Sequence, residues 1–140
     1  MHSYSLTKNP LCSNIIKPHY QNNKSPLCCF YQNVPGLRTK VKDFYNNICL
    51  NTNIEVVAIT ETWLDSDIIE SELFPNDFVV YRQDKDFQIM NVSRGGWVLI
   101  GVRDTIRSTG LDLSNVNNIV PSINVVGVKI IHKGQSIIIL

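Results

Sequence analysis

The chain has little charge and almost no imbalance between the two signs. Of its 140 residues 18% are charged, and 13 basic against 12 acidic residues leave a formal net charge of +1. This balance gives no electrostatic basis for general nucleic-acid binding, since proteins that bind nucleic acids non-specifically are usually far more basic. It does not exclude a nuclease, because an enzyme of that class needs only a local basic rim.

The sequence also lacks a recognisable secretory signal and a membrane-spanning segment. Residues 1–10 contain no apolar core followed by small residues, and no window approaches the roughly 18 apolar residues of a transmembrane helix. Cysteines are few, at positions 12, 28, 29 and 49. Without a secretory signal disulfides are not expected, and the adjacent pair Cys28-Cys29 lacks the gap of metal-binding knuckles. We therefore expect an intracellular protein in which the thiols of Cys28 and Cys29 are buried on a strand.

What the chain does contain is enough apolar sequence for one domain. A length of 140 residues with 44% hydrophobic residues is normal for a single globular unit. Residues 1–25 are rich in Asn, Ser, Lys and Pro and show no sustained period, which predicts a disordered polar leader. Residues 26–140 carry the apolar patterns and form the predicted domain.

The predicted elements begin with a strand, a helix and a second strand. The run Leu27–Tyr31 predicts a buried strand that ends before the turn-forming pair Pro35-Gly36. In residues 39–50 apolar side chains recur at the spacing of one helical face, with Thr39 as the N-cap. The β-branched run Ile54–Thr60 predicts a strand covered on both faces. This succession predicts a crossover unit.

The rest of the sequence predicts a short helix and further strands. Asp67 to Glu70 fits a loose capping box, and Pro75 ends the helix that follows. Residues 89–93 and 111–122 are predicted to be irregular. Strands are predicted at Phe78–Tyr81, Trp97–Val102 and, as a hairpin around Lys133-Gly134, Ile123–Ile131 and Ser136–Leu140. The last strand ends on apolar residues with no turn after it, so we expect an unfinished domain.

Glu61 is the most informative single residue. It follows directly on a buried strand, where a carboxylate must be paired, protonated or bound to a cation. One carboxylate with waters and substrate phosphate is an ordinary arrangement for Mg²⁺. Asn33 occupies the matching place after the first strand, where an amide can orient a carboxylate or donate to a phosphate oxygen. Taken alone, Glu61 is better explained as a hydrated strand-end residue and Asn33 as the start of a turn.

Three further features are weaker. Arg94, before Gly95-Gly96, is a candidate for contacting a phosphate, although Gly-Gly before a strand is more often a turn or bulge. The basic residues Arg38, Lys40 and Lys42 are candidates for contacting a nucleic-acid backbone, although a solvated helix start is the better explanation. None of the three histidines lies near a carboxylate in sequence, and we assign none to catalysis.

Three blocks of sequence together resemble one family. They are Tyr31–Lys40 (YQNVPGLRTK), Val57–Leu64 (VAITETWL) and Arg94–Ile100 (RGGWVLI). In order and spacing they resemble the endonuclease/exonuclease/phosphatase family, and more narrowly the endonuclease domain of non-LTR (LINE-type, jockey-like) retrotransposons. The resemblance covers residues 27–140, and the block Thr-Glu-Thr-Trp-Leu is its most specific part.

The resemblance implies a fold, an activity and a site. The fold is an α/β, or mixed α+β, partial four-layer sandwich of two facing mixed sheets with helices outside, truncated at the C-terminus. The activity is Mg²⁺-dependent phosphodiester hydrolysis that nicks DNA to prime reverse transcription, in the nucleus and with no small-molecule cofactor. Glu61 corresponds to the metal-ligand glutamate and Asn33 to the active-site asparagine, with Arg94 as a candidate for substrate binding.

The sequence also departs from the family pattern. Pro35 stands where an arginine is common, and Trp97 replaces a glycine, so we expect an indole to crowd the site. The family's later tyrosine, Asp-x-Asn and Asp-His elements have no counterpart, which leaves a ligand and an orienting amide without a general base. The sequence therefore predicts a truncated endonuclease domain that is inactive alone. Two alternatives stay open: a partner such as the missing half or a reverse transcriptase region completes it, or it is a repurposed non-catalytic module that binds protein or DNA.

Overall fold

The computed structural model describes residues 15–16, 26–64, 68–83, 97–119 and 124–140. These residues form eight strands, three short α-helices and two other helical turns. The strands are β1 (Ile15–Ile16), β2 (Cys29–Asn33), β3 (Val56–Thr60), β4 (Phe78–Gln83), β5 (Val98–Arg103), β6 (Arg107–Gly110), β7 (Val128–His132) and β8 (Gln135–Ile139). The α-helices are α1 (Val41–Phe44), α2 (Glu70–Leu73) and α3 (Ser114–Ile119). No described helix is long and apolar enough to cross a membrane.

The strands form two sheets. The first has the order β1-β2-β3-β5-β4 and is mixed, because β2 and β3 are parallel while the other pairs are antiparallel. The second has the order β6-β7-β8 and is antiparallel. The parallel pair confirms the predicted crossover unit, since the chain must cross one face of the sheet to return in the same direction.

Side chains on the two faces of the first sheet enter two separate cores. On one face Phe30, Ile59 and Leu99 pack with helical residues such as Phe44 and Leu73. On the other face apolar residues of β3 and β5 pack against β7, β8 and the segments beside them: Val56, Ile100, Val102, Ile106, Val126, Val128 and Ile130. A helical layer, the first sheet and the second sheet therefore stack in that order. This confirms the predicted two-sheet α+β architecture flanked by helices, with a second sheet that is antiparallel.

The predicted helix over residues 39–50 is correct in extent but not in winding. A 3₁₀ turn (Leu37–Lys40) leads into α1, and a π turn (Tyr45–Cys49) follows it. The helical segment begins after Gly36, whose φ of 67° lies in the left-handed region. Thr39 is therefore not the N-cap, and its hydroxyl instead donates to the Gly36 carbonyl at 3.2 Å.

Several elements differ from the predictions. Residues 111–122 were predicted to be irregular, but 114–119 form α3, which starts where the Asp112 carboxylate accepts a hydrogen bond from the Ser114 amide. Strand β6 was not predicted, because Arg-Ser-Thr-Gly has no apolar alternation and becomes a strand by pairing with β7. Within the predicted leader, β1 pairs with the open edge of β2. The predicted loop at 89–93, the residue Asp67 and the rest of the leader lie outside the described residues.

Among the described residues Cys29 and Cys49 form no disulfide, and burial suppresses the ionisation of both thiols. Burial raises the pKa of the Cys29 thiol to about 11, with smaller contributions from Cys28 and Glu55. Burial likewise raises the pKa of Cys49 to about 12, partly opposed by Arg103. The Cys49 sulfur also donates a hydrogen bond to the Leu73 carbonyl at 3.5 Å. The prediction of buried thiols on a strand therefore holds in part: Cys29 lies half-buried on β2, Cys28 is half-buried just before it, and Cys49 is buried in the π turn.

These pKa values predict a loss of stability at alkaline pH. An unfolded cysteine ionises near pH 8.5, whereas the folded thiols stay protonated to about pH 11. The folded state then binds more protons than the unfolded state, so the stability present below about pH 8.5 is lost progressively above it. Urea denaturation of the chain and of a Cys29→Ala/Cys49→Ala variant, followed from pH 7 to 10, measures this difference. An equal decrease in the free energy of unfolding of both proteins over this pH range would contradict the raised pKa values of Cys29 and Cys49.

Candidate functional site

The two predicted site residues lie side by side at one end of the first sheet. Strands β2 and β3 run parallel with Asn33 opposite Thr60, so Glu61 leaves β3 where Asn33 ends β2. Neighbouring strands are about 4.8 Å apart. The Asn33 side chain is exposed and that of Glu61 is half-buried. The predicted adjacency of these residues is thus observed.

The backbone around Glu61 is held on both sides. The Val34 amide donates to the Thr60 carbonyl at 2.9 Å, and the Leu37 amide donates to the Thr62 carbonyl at 2.8 Å. From the other side, the Thr62 amide donates to the Trp97 carbonyl at 3.3 Å. Glu61 therefore sits on a segment fixed between the loop after β2 and the start of β5.

This fixed segment adopts a conformation that side-chain-bearing residues rarely use. Glu61 has φ 58° and Trp63 has φ 50°, both in the left-handed region. Each such residue costs of order 1–3 kcal/mol and persists only where surrounding contacts enforce it. Residues strained in this way concentrate at ligand sites, so the strain supports Glu61 as a functional residue.

An indole orients the Glu61 carboxylate. The Nε1–H of Trp63 donates to Glu61 Oε2 at 3.1 Å. The same ring lies over Gly36, where an added Cβ would come within 3.5 Å of the ring carbon Cε3. Trp63 remains 41% exposed, whereas Trp97 is only 4% exposed. Trp63 therefore contacts the Glu61 carboxylate directly, and the crowding expected from the Trp97 indole stays a prediction.

The site also contains two hydroxyl groups, those of Tyr31 and Thr60, which the sequence alone did not identify as candidates. Tyr31 and Thr60 lie on neighbouring strands, and their hydroxyl oxygens are 3.3 Å apart. Tyr31 is exposed, and the period of two along β2 gives it the same face as Asn33. That alternation was the available signal, but it becomes informative only once the partner strand is known.

The remaining candidates separate into two groups. Arg94, with Gly95 and Gly96, lies outside the described residues. Arg38, Lys40 and Lys42 occupy the 3₁₀ turn and the start of α1, and all three are exposed. The Lys40 ammonium donates to the Pro35 carbonyl at 3.0 Å, which ties this basic segment to the loop beside Trp63.

The donor set at the site fits part of a magnesium site. Magnesium favours oxygen ligands and is often held by one or two carboxylates, with waters and substrate phosphates completing its shell. Glu61 supplies a carboxylate with acceptor capacity beyond one indole hydrogen bond, and Asn33 supplies an amide beside it. In the part of the chain that the structure describes, no cluster of three or more His, Cys, Asp or Glu side chains could hold a metal ion.

Comparison with protein-family models, curated proteins and solved structures finds no match to this chain.

Proposed function

We propose that this chain carries part of the active site of a metal-dependent phosphodiesterase of the endonuclease/exonuclease/phosphatase type, with DNA as its substrate. In this proposal Glu61 is a magnesium ligand, and Asn33 donates to a phosphate oxygen or to the ligand carboxylate. The observation that carries it is the placement of Glu61, on a strained and doubly anchored segment, beside Asn33 at the ends of two parallel strands. The retrotransposon branch and a nuclear location rest on the sequence resemblance alone.

The proposed chemistry divides between the cation and the protein. A bound Mg²⁺ neutralises charge on a phosphodiester and lowers the pKa of water. Trp63 holds one oxygen of Glu61 in place, which fixes the direction of the carboxylate before substrate arrives. Asn33, exposed on the neighbouring strand, offers an amide N–H to the phosphate. Among the described residues the acidic and histidine side chains form no larger cluster around Glu61, so we propose that the chain alone does not hydrolyse DNA.

The two tryptophans provide a direct test of the metal site. The indole N–H of Trp63 is bonded to Glu61, whereas Trp97 is buried. On titration with Mg²⁺, we expect the Trp63 indole resonance to shift in a saturable way and the Trp97 resonance to stay in place. Glu61→Gln, which keeps the hydrogen-bond acceptor but removes the charge, should abolish the shift. The matched variant Glu72→Gln, at an exposed carboxylate on α2, should leave it intact; an unchanged titration in Glu61→Gln would refute the ligand assignment.

A plasmid assay tests the second half of the proposal. Supercoiled DNA incubated with the chain and Mg²⁺ should show no nicking above a Glu61→Ala control, because a positioned general base contributes about 10²–10⁴-fold to such reactions. Nicking by the unmodified chain that disappears in Glu61→Ala would support the site assignment but contradict the expected inactivity of the chain alone. It would also indicate that residues outside the described ranges, or a partner chain, complete the machinery.

A non-catalytic nucleic-acid-binding module is the second candidate, and one observation favours it. The exposed Trp63 ring lies against Gly36, and the exposed basic residues 38, 40 and 42 follow directly. An accessible aromatic ring beside basic side chains is the usual combination for stacking a base and contacting its backbone. DNA binding in the presence of EDTA, lost in Trp63→Ala and kept in Glu61→Gln, would favour this candidate over the metal-dependent one.

A further inference from the structure

One row of residues runs across the first sheet at the end where Glu61 lies. Asn33 pairs with Thr60, Thr60 pairs with Val98, and Val98 pairs with Gln83. Directly paired residues project from the same face of a sheet. Gln83 therefore shares a face with Asn33, three strand spacings or about 14 Å away.

Gln83 has an unmet hydrogen-bonding requirement. Within the described ranges, the Oε1 of Gln83 and the Oγ1 of Thr62 are buried polar side-chain atoms with no hydrogen-bond partner. Both belong to the Glu61 end of the sheet, since Thr62 follows Glu61 and Gln83 ends β4. By contrast Tyr81, two residues before Gln83, satisfies its hydroxyl by donating to Ser108 at 2.9 Å. A buried acceptor without a donor is unfavourable, and in native proteins it often marks a functional position.

A groove lies directly beside Gln83. It has a volume of about 490 Å³, and its walls include Tyr81, Arg82, Gln83, Gly110, Asp112 and Gly127. Sites for small organic groups typically measure about 300–1,000 Å³. The groove is therefore large enough for a nucleobase, and it lies against the second half of β4, Val80–Gln83, which ends at the same end of the sheet as Asn33 and Glu61.

We propose that this groove receives a base of the nucleic acid whose phosphate lies at Glu61, and that Gln83 Oε1 accepts a hydrogen bond from that base. The inference rests on the proposed function. An acceptor requires a donor; phosphate and deoxyribose ring oxygens carry none within a DNA strand, whereas base edges carry N–H groups. The terminal torsion of glutamine is broad, so the amide can turn toward the groove. The separation from Asn33 corresponds to about four base steps at 3.4 Å each.

Binding of oligonucleotides with and without bases tests this assignment. We expect a fluorescently labelled single-stranded oligonucleotide to bind the chain more tightly than an abasic strand of equal length. Gln83→Leu should weaken binding of the base-bearing strand by about three- to tenfold, the effect of one hydrogen bond, and leave the abasic strand unaffected. The matched control is Gln32→Leu, because Gln32 lies at the same sheet end but beside a cavity among the helical residues Leu37 and Phe44. It should change neither affinity.

The outcomes separate the inference from the proposed function. Equal affinities of Gln83→Leu and the unmodified chain for the base-bearing strand would overturn the base contact, as would equal weakening for both strands. If the Trp63 indole still responded to Mg²⁺, the metal site would stand. If neither oligonucleotide bound the unmodified chain, both DNA as the substrate and the base contact of Gln83 would be contradicted. The side-chain amide resonance of Gln83 gives a readout without mutation, since it should move only with the base-bearing strand.

Discussion

Replacement of Arg103 by methionine is expected to lower the free energy of unfolding by about 2–6 kcal/mol, because backbone carbonyl acceptors lose their donor. The Arg103 side chain is only 11% exposed, and its guanidinium joins the end of β5 to the helical segment and the start of β3. Nη2 donates to the carbonyls of Cys49 and Asn51 at 2.9 and 3.1 Å, and Nε donates to the Ile54 carbonyl at 3.1 Å.

The expected loss of stability comes from the hydrogen bonds to backbone carbonyls rather than from the ion pair with Asp77. Methionine retains most of the volume but leaves the Cys49 and Ile54 carbonyls without the Arg103 donor, each costing about 1–3 kcal/mol where it is buried. The Asn51 carbonyl still accepts a hydrogen bond from the Ile54 amide. Asp77 also pairs with Arg103 but is 51% exposed, so water screens that interaction. The guanidinium also lies 4.2 Å from the centre of the Phe78 ring. Asp77→Asn should therefore cost at most about 1 kcal/mol.

Urea denaturation followed by circular dichroism measures these differences. The control is Arg107→Met, at an exposed arginine on β6, the next strand along the chain. We expect no measurable change in its free energy of unfolding. A small effect of Arg103→Met, comparable to that of Asp77→Asn, would show that the carbonyl hydrogen bonds do not hold the helical segment to the sheet.

Gly101→Ala is expected to destabilise the fold by about 1–3 kcal/mol through overpacking. Gly101 is buried on β5, an interior strand of the first sheet. A Cβ at this position would lie 2.5 Å from Cε1 and 2.8 Å from Cζ of Phe74. The Phe74 ring packs against two other rings, since its centre lies 5.5 Å from that of Phe44 and 5.1 Å from that of Phe78, and these contacts resist its displacement.

A double-mutant cycle isolates this steric contact. Phe74→Ala alone should cost about 3–5 kcal/mol, since it leaves a cavity in the core. In the Phe74→Ala background the added methyl group of Gly101→Ala enters that cavity, so its own cost should vanish or change sign. Thermal or urea unfolding of the four proteins measures the coupling. Strictly additive effects would mean that Gly101 is required for a reason other than the Phe74 ring.

Local pattern was sufficient to predict the central elements. The apolar run before Thr60 predicted β3, and the helical spacing of Phe44 and Ile48 predicted a helix that covers the sheet, as observed. The strand, helix and strand succession predicted the crossover, which brings Asn33 and Glu61 to one end of the sheet. These features were accessible because a buried face leaves a period of two or 3.6 in the sequence.

Contacts between segments that are distant in the sequence produce no such local pattern. Strand β6 has no apolar period, and its place depends on pairing with β7. The two tryptophans are equally visible in the sequence, yet only tertiary packing decides that Trp63 meets Glu61 while Trp97 is buried. The winding of the helical segment likewise follows from its ends, where Gly36 starts it and Arg103 binds the carbonyls at its close.

By itself, therefore, the sequence determined the strands β2 and β3 with the helical segment between them, and which two strand ends carry Asn33 and Glu61. Only the tertiary structure decided the sheet order, the indole that orients Glu61, and the row that brings Gln83 to the same end of the sheet. The physical reason is that burial of a face depends on the spacing of residues within one segment. The pairing of one strand with another depends on hydrogen bonds and packing between segments whose positions are set together.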